Sequence, residues 1–276
     1  MQNRNIMNTD NTNKFYPTIS QGFGILLLFI LISMLTGMIV AVGNLSNNER
    51  LITILTSFSY LVAAGGTLLI IIRQKRRFHP DYPVFVNKRT YPVTIIFSIL
   101  SALAIIILSE PLISMLPVSD LYKDMITRLN QKGISILLMT VVFAPVLEEL
   151  LIRGIILEGF LRNYSPGKAI LFSSLIFGLL HFNLIQFVGA FIIGLFIGWV
   201  YYKTRNLILP VLIHFANNLL SYILLYISDS NPLDVNLRNI FTSTSVYWVV
   251  MGIAGIILIS NFIFHKKIMN PKQIKN

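Results

Sequence analysis

Long apolar runs separated by short polar stretches set the pattern of this chain. Runs at 22–42, 51–72, 91–116 and 133–161 each have the length to cross a bilayer, which takes about 20 residues of helix. Further runs follow at 168–182, 183–202, 206–227 and 246–264, and only the break at Asn183 separates the first two of these. The pattern predicts an all-α, polytopic membrane helical bundle of about eight transmembrane helices. The bundle occupies 21–265, between a polar tail at 1–20 and a basic tail at 266–276. The first run has no small-residue cleavage site and reads as a retained helix, not a signal peptide. Pro111, after Glu110, and Pro210 read as kinks tolerated in membrane helices. No internal repeat and no soluble domain is visible.

Composition agrees with this pattern. The chain is 55% hydrophobic and 12% charged, against about 25% charged for a soluble domain. There is no cysteine, which rules out disulfides and thiolate metal sites. The net charge of +11 does not indicate a nucleic-acid partner, because the basic residues cluster in short loops between apolar runs. With both termini cytoplasmic, the inside segments carry Arg4, Lys14, the basic residues of 73–89, Arg162, Lys168, Lys203, Arg205 and Lys266, Lys267, Lys272 and Lys275. The outside segments carry only Arg50, Lys123, Arg128, Lys132 and Arg238. The positive-inside rule therefore predicts a multi-pass protein of the cell membrane with cytoplasmic N- and C-termini.

Charge inside the fourth run changes the picture further. Glu148, Glu149 and Arg153 lie within a segment that otherwise reads as membrane-spanning, and a charge at that depth normally faces the protein interior and has a role. Glu149 and Arg153 are four residues apart and can pair on one helical face. Glu148 points about 100° away and stays free for chemistry. The fifth run brings His181, four residues after Phe177, and the seventh brings His214, four residues before Asn218. A carboxylate and an imidazole can activate a water for attack on a carbonyl. A second histidine with an asparagine can donate to the oxyanion. Alternatively, Glu148, His181 and His214 could hold a divalent metal such as zinc with an open fourth position. Residue types alone leave both chemistries open.

Taken singly, most of these features have a plainer reading. A lone membrane histidine, or Asn217 and Asn218, serves as interhelical hydrogen-bond glue. Gly194 and Gly198 read as a packing stripe, Glu110 as an outer-interface residue, and Glu158 as a simple partner of Arg162. The basic residues 73–77 read as a topology determinant. The adjacent glutamates with an arginine resist such a reading because burying them is costly. The combined site predicts that Glu148, His181, His214 and Asn218 share one cavity, within about 10 Å of one another.

Three segments together resemble a known family. Glu148-Glu149-Leu-Leu-Ile-Arg153, Phe177-Gly-Leu-Leu-His181 and His214-Phe-Ala-Asn-Asn218 are similar, in order and separation, to the EExxxR, FxxxH and HxxxN motifs of the CPBP family, the CAAX-protease and bacteriocin-processing membrane proteins. The resemblance covers a core at 133–225 and implies an intramembrane endopeptidase. It implies Glu148 as general base with His181 holding the water, His214 and Asn218 as the oxyanion site, Glu149 and Arg153 as residues that shape it, and Phe177 as a packing neighbour. It leaves open a metal-dependent or a metal-free glutamate mechanism. Eukaryotic relatives trim prenylated C-terminal tails, whereas bacterial look-alikes are associated with peptide processing and bacteriocin self-immunity. Lys, Ile and Asn richness favours the bacterial case, with a peptide or membrane protein as substrate and the lipid bilayer as the other partner. The rival from another class is a non-catalytic immunity or scaffold protein using the same cavity. A transporter with Glu148 and Glu149 as a proton relay is disfavoured, since paired broken helices are not seen.

Overall fold

The computed structural model of the chain describes residues 14–46, 48–129, 134–227 and 243–268. The tail at 1–13, Lys132, Asp229, Asp234 and Arg238, and Lys272 and Lys275 lie outside the described residues. The described residues form an all-helical bundle. Its elements are α1 (Ile19–Asn44), α2 (Glu49–Phe78), α3 (Pro92–Ile113), α4 (Asp120–Leu129), α5 (Ile134–Asn163), α6 (Pro166–Leu179), α7 (Leu184–Thr204), α8 (Ile208–Ile227) and α9 (Thr244–Ile268). Six of these are long and apolar enough to cross a membrane: α1, α2, α3, α5, α7 and α9. The other two apolar helices, α6 and α8, are shorter, and α6 has only 14 residues. At 1.5 Å per residue α6 rises about 21 Å, less than the hydrocarbon thickness. The polar stretch after α3 adds the amphipathic α4, not foreseen from sequence.

Local chemistry accounts for the helix ends. Thr18 and Gln21 form a reciprocal capping box at the start of α1. Asn48 and Asn183 cap α2 and α7 through their side-chain oxygens, at 3.1 Å to Leu51 N and 2.9 Å to Gln186 N. Asn206 does the same for Leu209 N at 2.8 Å. Pro92 and Pro166 open α3 and α6, where the missing N–H costs nothing. Pro210 also falls in the first turn of its helix, so it starts α8 instead of kinking it as expected from the sequence.

α5 is the axis of the molecule. Residues 151–160 are buried on every face, including Ile152, Ile155, Ile156 and Phe160 at 0% exposure. A helix buried all round lies at the centre of a bundle. α1 pairs with α2, α6 with α7, and α3 with α9, and α2, α6 and α8 pack onto α5. The outer face of α1 presents Leu27, Leu31, Met34, Leu35 and Met38, an apolar strip suited to lipid.

Four of the segments read as basic and cytoplasmic, at 14–18, 73–89, 162–168 and 203–207, meet at one end of the bundle. Phe15 N–H donates to Asn163 Oδ1 at 2.8 Å, and Tyr16 N–H donates to His79 Nε2 at 2.9 Å. Lys88 N–H reaches Arg205 O at 2.8 Å, and Leu207 N–H reaches Asn87 Oδ1 at 2.9 Å. Two residues there depart from the sequence reading. Glu158 is fully buried and does far more than pair with Arg162: Tyr82 OH and Arg162 Nε donate to one oxygen at 2.7 and 3.3 Å, and Tyr201 OH and Arg205 Nη1 to the other at 2.9 and 2.5 Å. Lys75 turns inward from the basic run, and its Nζ donates to Val84 O at 2.7 Å. Burial and the Glu158 carboxylate push the Tyr82 phenol up. Burial and the nearby Lys75 charge push the His79 imidazole below its usual 6.5, which keeps it a neutral acceptor for Tyr16 N–H.

Candidate active site

The two adjacent glutamates face different partners, as the helical period requires. Glu149 and Arg153 are both 0% exposed, and Arg153 Nη1 donates to Glu149 Oε1 at 2.8 Å across one turn. Two further contacts hold the guanidinium, although among the described residues its buried Nε has no hydrogen-bond partner. Nη2 donates to Gly194 O at 3.2 Å, and the guanidinium stacks on the Phe177 ring at 4.5 Å. Gly194 makes that approach possible. A Cβ there would lie 3.1 Å from Phe177 Cδ1 and 3.4 Å from Arg153 Nη2. The glycine read as packing alone thus also opens a backbone carbonyl to the buried arginine.

His214 joins the same carboxylate. Its Nδ1 lies 2.9 Å from Glu149 Oε1. A carboxylate only accepts, so the proton sits on Nδ1 and Nε2 is the nitrogen left for other work. Nε2 stands 4.0 Å from Glu148 Oε2. Glu148 is fixed from the other side, where Tyr60 OH on α2 donates to Oε1 at 2.6 Å. Its Oε2 is buried and, among the described residues, accepts no hydrogen bond.

Glu148 and His181 line a common cavity of about 200 Å³. Tyr60 and Gln186 add polar groups to its wall, and Phe29 and Leu180 add apolar ones. His181 is not on a membrane span, as the sequence implied. α6 stops at Leu179, and His181 occupies the turn that follows. Its Nδ1 bonds the Phe177 carbonyl at 3.1 Å, which again leaves Nε2 open. The next residue, Phe182, has φ 55°, a strained left-handed conformation for a bulky side chain. That conformation reverses the chain beside the cavity.

Asn218 is placed by a break in α5. Residues Leu138–Phe143 form a π-helical turn, in which Ala144 N–H bonds Met139 O, five residues back. In that register the donor due to Thr140 O is residue 145, and residue 145 is proline. The orphaned Thr140 carbonyl is taken by Asn218 Nδ2 at 2.8 Å. Asn217 Nδ2 donates to Asn218 Oδ1 at 2.8 Å and fixes the amide orientation. An amide nitrogen has two protons, so one N–H of Asn218 remains for another acceptor.

The fold therefore brings Glu149, Arg153 and His214 into one hydrogen-bonded cluster, with Glu148 4.0 Å from His214 and lining a cavity with His181. Asn218 is attached next to the cluster through Thr140, away from the cavity-lining set. Phe177 is more central than a packing neighbour: its ring contacts Arg153, and meets His181 and His214 edge-on at 5.4 Å each. Tyr60 and Thr140 were missed from sequence. Neither carries a motif, since a tyrosine in an apolar helix and a backbone carbonyl leave no sequence signal. The proposed metal set of Glu148, His181 and His214 does not assemble as a shell. Among the described residues no group of three His, Cys, Asp or Glu side chains can hold a metal ion.

Residues 130–220 match the family described as Type II CAAX prenyl endopeptidase Rce1-like, in agreement with the motif resemblance. All six candidate residues, Glu148, Glu149, Arg153, His181, His214 and Asn218, fall inside the matched segment, and Tyr60 falls outside it. No curated protein and no solved structure gives a significant match to the chain. The apolar helices and this segment identify a multi-pass membrane protein.

Proposed function

We propose that the protein is an intramembrane endopeptidase that cleaves a membrane-associated peptide or protein by glutamate-activated water attack. One observation carries the reading. Glu148 lines a cavity with His181, and its buried Oε2, without a hydrogen-bond partner among the described residues, stands 4.0 Å from His214 Nε2. In this reaction Glu148 Oε2 and His181 Nε2 hold a water, and Glu148 takes its proton as the oxygen attacks the peptide carbonyl. His214, held through Nδ1–H on Glu149, turns its Nε2 edge to the oxyanion, and we assign the second N–H of Asn218 to the same role. Glu148 then passes its proton to the leaving amine. Glu149 and Arg153 hold His214 and carry no step themselves.

The positive-inside pattern, and the meeting of four of the basic segments at one end of the bundle, support cytoplasmic N- and C-termini in the cell membrane. Bacterial peptide processing or bacteriocin self-immunity is the role we assign. The test uses purified protein in detergent and a quenched-fluorescent peptide library, with and without a chelator. Glu148→Gln should lower the rate by about 10²-fold or more, and the chelator should change the wild-type rate little. Chelator loss restored by zinc would replace the metal-free mechanism with a zinc one. A Glu148→Gln protein that keeps its cellular phenotype would point to a non-catalytic binder.

A further inference from the structure

The mechanism above uses one carboxylate oxygen of Glu148, and what fixes the other lies outside the three motifs. Tyr60 sits on α2, far from the matched segment in sequence, and its hydroxyl donates to Glu148 Oε1 at 2.6 Å. That length is typical of a charge-assisted O–H···O⁻ bond, roughly twice as strong as a neutral one. The bond spans two helices, since α2 packs directly against α5. Ala64, one turn further along α2, lines the same cavity, so one face of α2 supplies both a donor and open space.

We infer that Tyr60 is a positioning residue for the general base, locking the Glu148 carboxylate so that Oε2 alone faces the reacting water. This inference rests on the assignment of Glu148 as base. A carboxylate on a glutamate has three side-chain torsions and sweeps a wide arc unless anchored. With Oε1 held by Tyr60, Oε2 is left 4.0 Å from His214 Nε2, while Glu148 lines the cavity together with His181. Arg153, the nearest cation on the same helix, serves Glu149 instead, so it does not duplicate the anchor. Preorganising a reacting group in this way lowers the barrier without changing how substrate binds. The functional unit is then larger than the matched segment, because α2 contributes a group to it.

The test is steady-state kinetics of the full chain in detergent, using a quenched-fluorescent peptide cleaved by the wild type. Tyr60→Phe keeps the ring and removes only the hydroxyl. It should lower kcat about tenfold or more, the cost of losing one hydrogen bond to a charged group. KM and the thermal unfolding temperature should stay near wild type. In the Glu148→Gln background the same change should cost nothing further, because it acts through Glu148. Wild-type kcat in Tyr60→Phe, a change in KM alone, or a full additional loss in the double variant would each overturn the inference. If Glu148→Gln is inactive while Tyr60→Phe is unimpaired, only the role of Tyr60 falls. If Glu148→Gln keeps full activity, the base assignment falls and the positioning role falls with it.

Discussion

Two buried charge clusters lie on α5, and they are built differently. At one end, Glu158 has both oxygens saturated, with donors from Tyr82, Arg162, Tyr201 and Arg205. Further along the helix, Glu148 Oε2, Glu149 Oε2 and Arg153 Nε are all buried and, among the described residues, without a hydrogen-bond partner. Burying a charge costs several kcal/mol, and the cost is recovered only when its hydrogen bonds are complete. The Glu158 cluster meets that condition and ties three chain segments together: α5, the loop with Tyr82 and the end of α7. The Glu148 cluster does not, and a protein retains such a deficit where chemistry uses it. Saturation, and not burial as such, separates Glu158 from Glu148, the carboxylate we propose as the base, and from Glu149 beside it.

The largest expected effect tests the structural half of this contrast. Glu158→Ala leaves Arg205, the buried Tyr201 phenol and the half-buried Tyr82 phenol without their acceptor and should cost about 3–5 kcal/mol of unfolding free energy. Its kcat per folded molecule should remain within about threefold of wild type. Chemical unfolding in detergent alongside the peptide assay measures both. A Glu158→Ala protein that unfolds normally but has lost its rate would erase the distinction between the clusters.

A smaller effect probes the wall behind the reactive cluster. Gly194→Ala places a methyl at 3.1 Å from Phe177 and 3.4 Å from Arg153 Nη2, closer than relaxed packing allows. The expected cost is about 1–3 kcal/mol, the usual range for overpacking, together with a lower kcat as Arg153 and Glu149 shift His214. Gly198→Ala, which meets only Ile170 and Leu157, should affect stability without the rate. Equal loss of rate in both variants would show that the Gly194 carbonyl has no special part.

The smallest effect is a pH dependence at the far end. The His79 imidazole is held below its usual 6.5 and accepts from Tyr16 N–H, so the neutral ring is the bonded form. Its contribution is complete above pH 6.5 and is lost as the pH falls through the lowered value. Below that window the clasp at Phe15–Pro17 should loosen by about 1 kcal/mol, the net worth of one hydrogen bond. Faster amide exchange at Tyr16 in acid, absent in His79→Ala, measures it. Peptidase activity at neutral pH should be the same in both proteins.

Much of this was legible in the sequence because membrane insertion is a strong one-dimensional constraint. Apolar run length set the helices, and the expected break at Asn183 is present, with α6 already ending at Leu179 and Asn183 capping the start of α7. Helical period separated Glu148 from Glu149, and the four-residue spacing paired Glu149 with Arg153. Side-chain types at fixed spacing also nominated His181, His214 and Asn218. Tertiary structure decided what depends on neighbours distant along the chain. It placed Tyr60 on Glu148 across 88 residues, and Glu158 among donors from two other segments. It moved His181 off the helix into a turn, and gave Asn218 the Thr140 carbonyl that a π-helical turn and Pro145 had left unpaired. The physical reason is common to all of these. A sequence displays which groups must be satisfied, because burial and period are local, while the partner that satisfies each one is chosen only when helices pack.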